Sequence, residues 1–279
     1  MSLPIAFLDI TLSLTLSGTV KVCLFLITWV ILWLPLAWSI ARKISWQPFS
    51  PLVGSEKLLL VISLYLTVPL LVWLTISVEG TSVIDYGLKW QLTFLISLLL
   101  GIGLGIAGLG ILFGLEGWFG WLIWQKNNLY RLGKLGLPLL GLGLWVGITE
   151  ELIFRGVLLN LLQQDYSLEI AAIISSGVFA LLHLLWEREE TIPQLPGLWI
   201  MGMILVWARI MDEGSLALAS GLHVGWIWGL SCIDAAELIS YTDKGAAGVV
   251  GWKKQPLARI SGILCLLGTG LVLWQFSLF

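Results

Sequence analysis

Five side chains stand out for where they fall. Glu150, Glu151 and Arg155 lie in the apolar run LLGLGLWVGITEELIFRGVLLNLL. His183 and His223, the only two histidines, lie in EIAAIISSGVFALLHLLW and LALASGLHVGWIWGLSCIDA. These runs are apolar enough to enter a bilayer, where an ionisable group costs about 2.5–3.5 kcal/mol at mid-depth on the mildest scale. Ionisable groups placed there are functional candidates. Glu151 and Arg155 are four residues apart, so on a helix they share a face and can neutralise each other. That pair reads equally as a structural clasp. Glu150 is turned about 100° away and has no partner on its own helix. His183 and His223 are then the basic groups placed to serve it.

A carboxylate beside an imidazole can hold a water molecule and take its proton. A second imidazole can donate to a developing oxyanion. Together they would hydrolyse an amide with no covalent enzyme intermediate. The same two histidines and a glutamate could instead bind Zn²⁺ and activate water on the metal. The residue types leave both routes open, since both use the same atoms. The chain has no H-E-x-x-H, no G-x-S-x-G and no intramembrane aspartate pair.

The elements that must carry these residues are membrane helices. Only 11% of the 279 residues are charged and 58% are hydrophobic, against about 25% charged in a soluble domain. Mean hydropathy is +0.96. A water-soluble globule, a disordered chain and a nucleic-acid binder are excluded, the last because no basic face exists. The composition predicts an all-α, polytopic transmembrane helical bundle of about eight spans. Apolar windows run over 22–40, 58–78, 92–114, 138–162, 169–186, 197–211, 216–235 and 258–277. The sixth is short and must borrow flanking residues. Residues 3–17 carry Asp9 and read as an interfacial helix, and MSLPIAFLDITL has no basic n-region of a cleaved signal peptide.

Polar connections separate the windows, among them QKNNLYRLGKLGLP, EREETIPQLP and SYTDKGAAGVVGWKKQP. Eleven Lys and Arg fall in the loops on one side and two, Lys21 and Lys89, on the other, which puts the first side in the cytoplasm. By helical rise, Glu150 and His223 each lie about 18 Å from that side, and His183 about 5–10 Å. The three can share one level, reachable from the cytosol. Gly103-x-Gly105-x-x-Gly108 matches the dinucleotide fingerprint formally, but it lies inside a span with no strand before it. Helix packing through Gly101 with Gly105, and Gly110 with Gly114, is the better account. Cys23, Cys232 and Cys265 are dispersed in apolar runs and read as buried small hydrophobes.

At the same residues the chain resembles the CAAX-protease and bacteriocin-processing (CPBP, or Abi) family of intramembrane proteases. The motifs stand as Glu150-Glu151-x-x-x-Arg155, Phe179-x-x-x-His183 and His223-x-x-x-Ile227. They divide the chain into N-terminal transmembrane helices (1–137), core helices (138–235), and a cytoplasmic loop with the last transmembrane helix (236–279). The resemblance implies that Glu150 is the water-activating base, assisted by His183. It implies that Glu151 and Arg155 orient it and that His223 stabilises the oxyanion. It also implies a membrane-associated peptide or protein substrate, CAAX-type prenylated ones included. No cofactor is required on this reading, Zn being the alternative. One position departs from the pattern: the third motif normally ends in Asn or an acidic residue, and here it ends in Ile227, which cannot donate to an oxyanion. That substitution supports a second reading, a weak or inactive membrane scaffold of the same fold. A proton-coupled carrier is a third, against which no matched pair of interrupted helices is seen.

Overall fold

A computed structural model describes residues 16–46, 54–185, 188–242, 244 and 255–276. The expected interfacial segment 3–17 lies, except for its last two residues, outside them, as do Lys253 and Lys254. The fold is a helical bundle. Helix α1 is Gly18–Lys43, α2 Gly54–Leu66, α3 Val68–Glu79 and α4 Leu92–Trp118. Helix α5 (Leu129–Glu151) continues through a π-helical segment, Leu152–Leu158, into the short turn Leu159–Leu162. Then come α6 (Leu168–Leu182), α7 (Leu195–Met211), α8 (Ala217–Ala235) and α9 (Ile260–Phe276).

Six helical segments are long and apolar enough to cross a membrane: 18–43, 54–79, 92–118, 126–162, 168–185 and 188–211. The sixth expected window does borrow its flank, since a helical turn at Arg188–Thr191 and a 3₁₀ turn at Ile192–Gln194 lead into α7. The other two windows are helices as well. Helix α9 has 17 residues. Helix α8 has 19, but Ser220, His223, Ser231 and Asp234 lower its hydropathy. Its first half, from Ala217 to Trp226, is almost wholly buried. A helix enclosed by protein has no need of a lipid-facing surface.

Two local features differ from the sequence reading. The connection QKNNLYRLGKLGLP is mostly helix, beginning at Leu129. Pro138 lies inside α5, where it forfeits one i→i−4 bond without ending the helix. In addition, Leu122–Trp124 (β1) pairs antiparallel with Ile239–Tyr241 (β2), joining two connections far apart in sequence. The window 58–78 is broken at Thr67, where Pro69, with no N–H to return to the preceding turn, sits in the first turn of α3. The Thr67 hydroxyl donates to Leu64 O (2.6 Å) and closes the end of α2. Gly80, at φ 64°, caps α3 in the left-handed conformation.

Helix α8 is sandwiched between α4 and α5, and α7 packs against α6, α8 and α9. Two Gly-x-x-x-Gly pairs face each other across α4 and α8. A Cβ on Gly101 would lie 2.5 Å from Leu218 O, and one on Gly221 2.2 Å from Leu98 O. One on Gly225 would lie 2.7 Å from Ile102 O. Only glycine permits so close an approach. The expected packing role of Gly101 and Gly105 is therefore present. Gly110 and Gly114 do not share it: a Cβ at either would meet nothing within 4 Å. They lie on the face of α4 turned from the α8 contact, so small residues there mark no interface among the described residues. Of the three cysteines expected to be buried, Cys232 is buried and Cys23 is exposed, on the outer face of α1.

Candidate active site

His223 lies two residues from both Gly221 and Gly225. At about 100° per residue that turns it to the opposite face of α8, away from α4. On that side α5 also approaches closely, since a Cβ on Gly147 would sit 2.9 Å from Val224 Cγ2. The glycines thus bring the His223 helix against the glutamate helix. His223 Nδ1 lies 2.8 Å from Glu151 Oε1, and Nε2 lies 3.5 Å from Glu150 Oε2. One imidazole therefore bridges two adjacent carboxylates. A carboxylate only accepts, so Nδ1 donates to Glu151.

Glu151 is held twice. Arg155 Nη1 donates to the same Oε1 at 2.9 Å, and both side chains are fully buried. The Arg155 guanidinium lies over the Phe179 ring, 4.4 Å from its centroid. Glu150, turned from Glu151 as helical geometry requires, meets a different helix. Its Oε1 accepts the Tyr65 hydroxyl, at the last turn of α2. Trp29 stacks on Tyr65 at 6.4 Å and donates through Nε1 to Thr67 Oγ1 (3.1 Å). The four helices α1, α2, α5 and α8 therefore fix the geometry of one carboxylate.

The π-helical segment sits where Arg155 needs support. A π-bulge interrupts the i→i−4 ladder and frees carbonyls. Phe154 O accepts Ser175 Oγ at 2.7 Å, and Arg155 O accepts Arg209 Nη1. Arg209 is also tied to Asn160 Oδ1 (2.9 Å) and Gly214 O (3.1 Å). Helices α6 and α7 thus latch the segment that carries Arg155.

His183 caps the end of α6 and is half-buried. Its Nδ1 lies 2.8 Å from Phe179 O, which can only accept, so Nδ1 carries the proton and Nε2 the lone pair. Its ring meets Phe179 edge-on at 4.6 Å, and Phe179 meets His223 at 5.9 Å. Phe179 thus touches both imidazoles. Ile227, one turn beyond His223, packs 3.7 Å from the Cβ position of Gly143 on α5. The Trp228 indole is committed to Gly136 O at 2.8 Å.

His223 Nδ1 donates to Glu151, and Glu151 is neutralised by Arg155, so both are already engaged within the cluster. Among the described residues no group of three or more His, Cys, Asp or Glu is arranged to hold a metal.

Sequence reasoning missed Tyr65, Ser175 and Arg209. Tyr65 had a readable signal, being the only one of five tyrosines inside an expected span. A second buried ionic group was also missed. Glu116 on α4 lies 3.8 Å from Arg259, one of the eleven expected loop cations, at the edge of the 258–277 window; both are 2% exposed. Ser261 Oγ donates to Glu116 at 2.8 Å, and Arg259 lies 4.2 Å over the Tyr241 ring.

Fold and site together define a polytopic integral membrane protein with a buried glutamate–histidine–arginine cluster. Residues 133–229, from early α5 to late α8, match the family model described as Type II CAAX prenyl endopeptidase Rce1-like. All five expected site residues fall inside that stretch, and the match agrees with the CPBP-family resemblance. The family is one of CAAX-type membrane proteases. No curated protein and no solved structure matches the chain.

Proposed function

We propose that the protein is an intramembrane endopeptidase that hydrolyses a peptide bond in a membrane-associated, CAAX-type peptide or protein, with Glu150 as the general base. The observation that carries this reading is the bridge of His223 between Glu150 and Glu151 at a buried level. Glu151, bound by Arg155 and by Nδ1–H, is fixed as a carboxylate. Glu150 Oε2 and His223 Nε2 then face each other with one proton position between them.

Glu150 takes a proton from water as the water oxygen bonds to the scissile carbonyl carbon. As Glu150 takes up that proton, His223 Nε2–H is freed from it and donates to the oxyanion. The C–N bond then breaks, and the proton on Glu150 passes to the leaving amine. His183, with its Nε2 lone pair free of the Phe179 carbonyl, holds the water's second hydrogen. The side of the membrane with more Lys and Arg gives the substrate's route, so the site opens to the cytoplasm.

The test uses the full chain in lipid vesicles with a prenylated CAAX-type peptide. Mass spectrometry of products formed in ¹⁸O-water should show one ¹⁸O in the new carboxyl group. Cleavage should persist with a zinc chelator present. Glu150→Gln should abolish cleavage while the unfolding temperature holds. Undiminished cleavage by that variant would sink the mechanism. Ile227 favours a second reading, a scaffold of the same fold. It wins if the native chain is inert and Ile227→Asn creates activity, as an oxyanion donor is worth about 10²–10³ in rate.

A further inference from the structure

We infer that Tyr65 is a positioning residue for the Glu150 carboxylate, an inference that rests on the reading of Glu150 as base. Tyr65 lies outside the 133–229 stretch that matches the protease family, so the site is completed by a helix the match does not include.

The argument starts from the two oxygens of Glu150. Oε2 faces His223 Nε2, and Oε1 accepts the Tyr65 hydroxyl. A buried carboxylate held by one partner can rotate about its terminal torsion. Held at both oxygens from two different helices, it cannot. The Tyr65 hydroxyl is itself placed rather than free. Its ring stacks on Trp29, and the Trp29 indole donates to Thr67 Oγ1 and to Leu64 O (3.3 Å). Those acceptors belong to the helix break that Pro69 creates. The break therefore fixes the height at which the tyrosine meets Glu150. Tyr65 is 8% exposed, so water does not compete for the bond.

The position of Ile227 makes this contact matter more. The apolar side chain on the His223 face packs towards Gly143 and offers no donor. Among the described residues, the Tyr65 hydroxyl is the neutral donor that reaches the Glu150 carboxylate. It aims the remaining oxygen at the water to be activated.

A hydrogen bond to a charged group contributes about 1.5–3 kcal/mol, or roughly 10- to 100-fold in rate if it is needed for alignment. Turnover of Tyr65→Phe, Tyr65→Leu and Glu150→Gln is measured in the same vesicles per folded molecule, with unfolding temperature alongside. Tyr65→Phe keeps the ring and the Trp29 stack, so its unfolding temperature should stay near the native one. Its kcat should fall about 10- to 100-fold with KM unchanged. Tyr65→Leu should lose at least as much. A kcat for Tyr65→Phe within twofold of native overturns the inference, as does a rise in KM at constant kcat. If Glu150→Gln is inactive in that experiment, the proposed base stands and only the tyrosine's role falls. If Glu150→Gln is active, the base itself is wrong.

Discussion

The protein buries two ionic clusters in its bundle, and they are built differently. At the first, two adjacent carboxylates share an imidazole, a guanidinium holds one of them and a tyrosine the other. At the second, one carboxylate meets one guanidinium, closed by a serine hydroxyl and a tyrosine ring. The Glu116–Arg259 pair is balanced in charge and joins α4, β2 and the start of α9. The Glu150 cluster carries one carboxylate more than it has guanidinium, and an imidazole sits against the surplus. Burial alone therefore does not mark a site. The imbalance of the partners does.

Removing the guanidinium from each cluster separates the two most strongly. Arg155→Met leaves Glu151 buried without its cation, which should cost about 3–5 kcal/mol in thermal or denaturant unfolding. Replacing both members of a buried pair by apolar residues is near-neutral or stabilising in general. Glu116→Leu with Arg259→Met should therefore keep both stability and turnover. Glu151→Leu with Arg155→Met should keep much of the stability and lose turnover. Equal turnover in the two double variants would erase the distinction.

The next effect concerns how the helices meet. Gly221→Ala places a Cβ 2.2 Å from Leu98 O and must push α8 off α4. Overpacking of this kind costs about 1–3 kcal/mol. The loss should appear in both unfolding temperature and turnover, because His223 is carried on the displaced helix. Gly114→Ala, whose Cβ meets nothing, should change neither.

The smallest effect lies at the membrane end, remote from both clusters. Asp165 accepts from the Thr19 hydroxyl (2.7 Å) and from the backbone N–H of Thr19 (2.6 Å) and Gly18 (2.9 Å). These bonds, that of the Thr19 side chain foremost, hold its carboxyl below the usual carboxylate range. The ionised form is favoured in the folded state. Its contribution is therefore present above the ordinary aspartate value of about 3.9 and is lost as pH falls through the lowered folded value. Asp165→Asn should flatten that acid limb of the unfolding profile slightly, with turnover at neutral pH unchanged.

Much of this could be read in the sequence, for physical reasons. Apolar windows placed the helices because a bilayer demands them. Glu150, Glu151, Arg155 and His223 were conspicuous because charge in such windows is costly, and three-dimensional proximity followed. What was hidden depends on long-range packing. Tyr65 reaches Glu150 across 85 positions, and nothing in α5 names its partner. Arg259 sat next to a window edge and looked like a loop cation, yet it is buried by Tyr241 and Glu116. The β1–β2 pair forms between two polar connections, each too short to show a strand period. The Phe179 ring, which meets both imidazoles edge-on, was likewise not legible as their common neighbour.

The central claim is that only the unbalanced cluster does chemistry. Turnover of Glu150→Gln and Glu116→Gln, measured side by side on a prenylated CAAX-type peptide and normalised to folded protein, tests it most directly. Each variant removes one buried carboxylate charge and keeps the side-chain shape. The account predicts that Glu150→Gln is inactive and that Glu116→Gln turns over at the native rate. Cleavage that survives in Glu150→Gln, or is lost equally in Glu116→Gln, would contradict it.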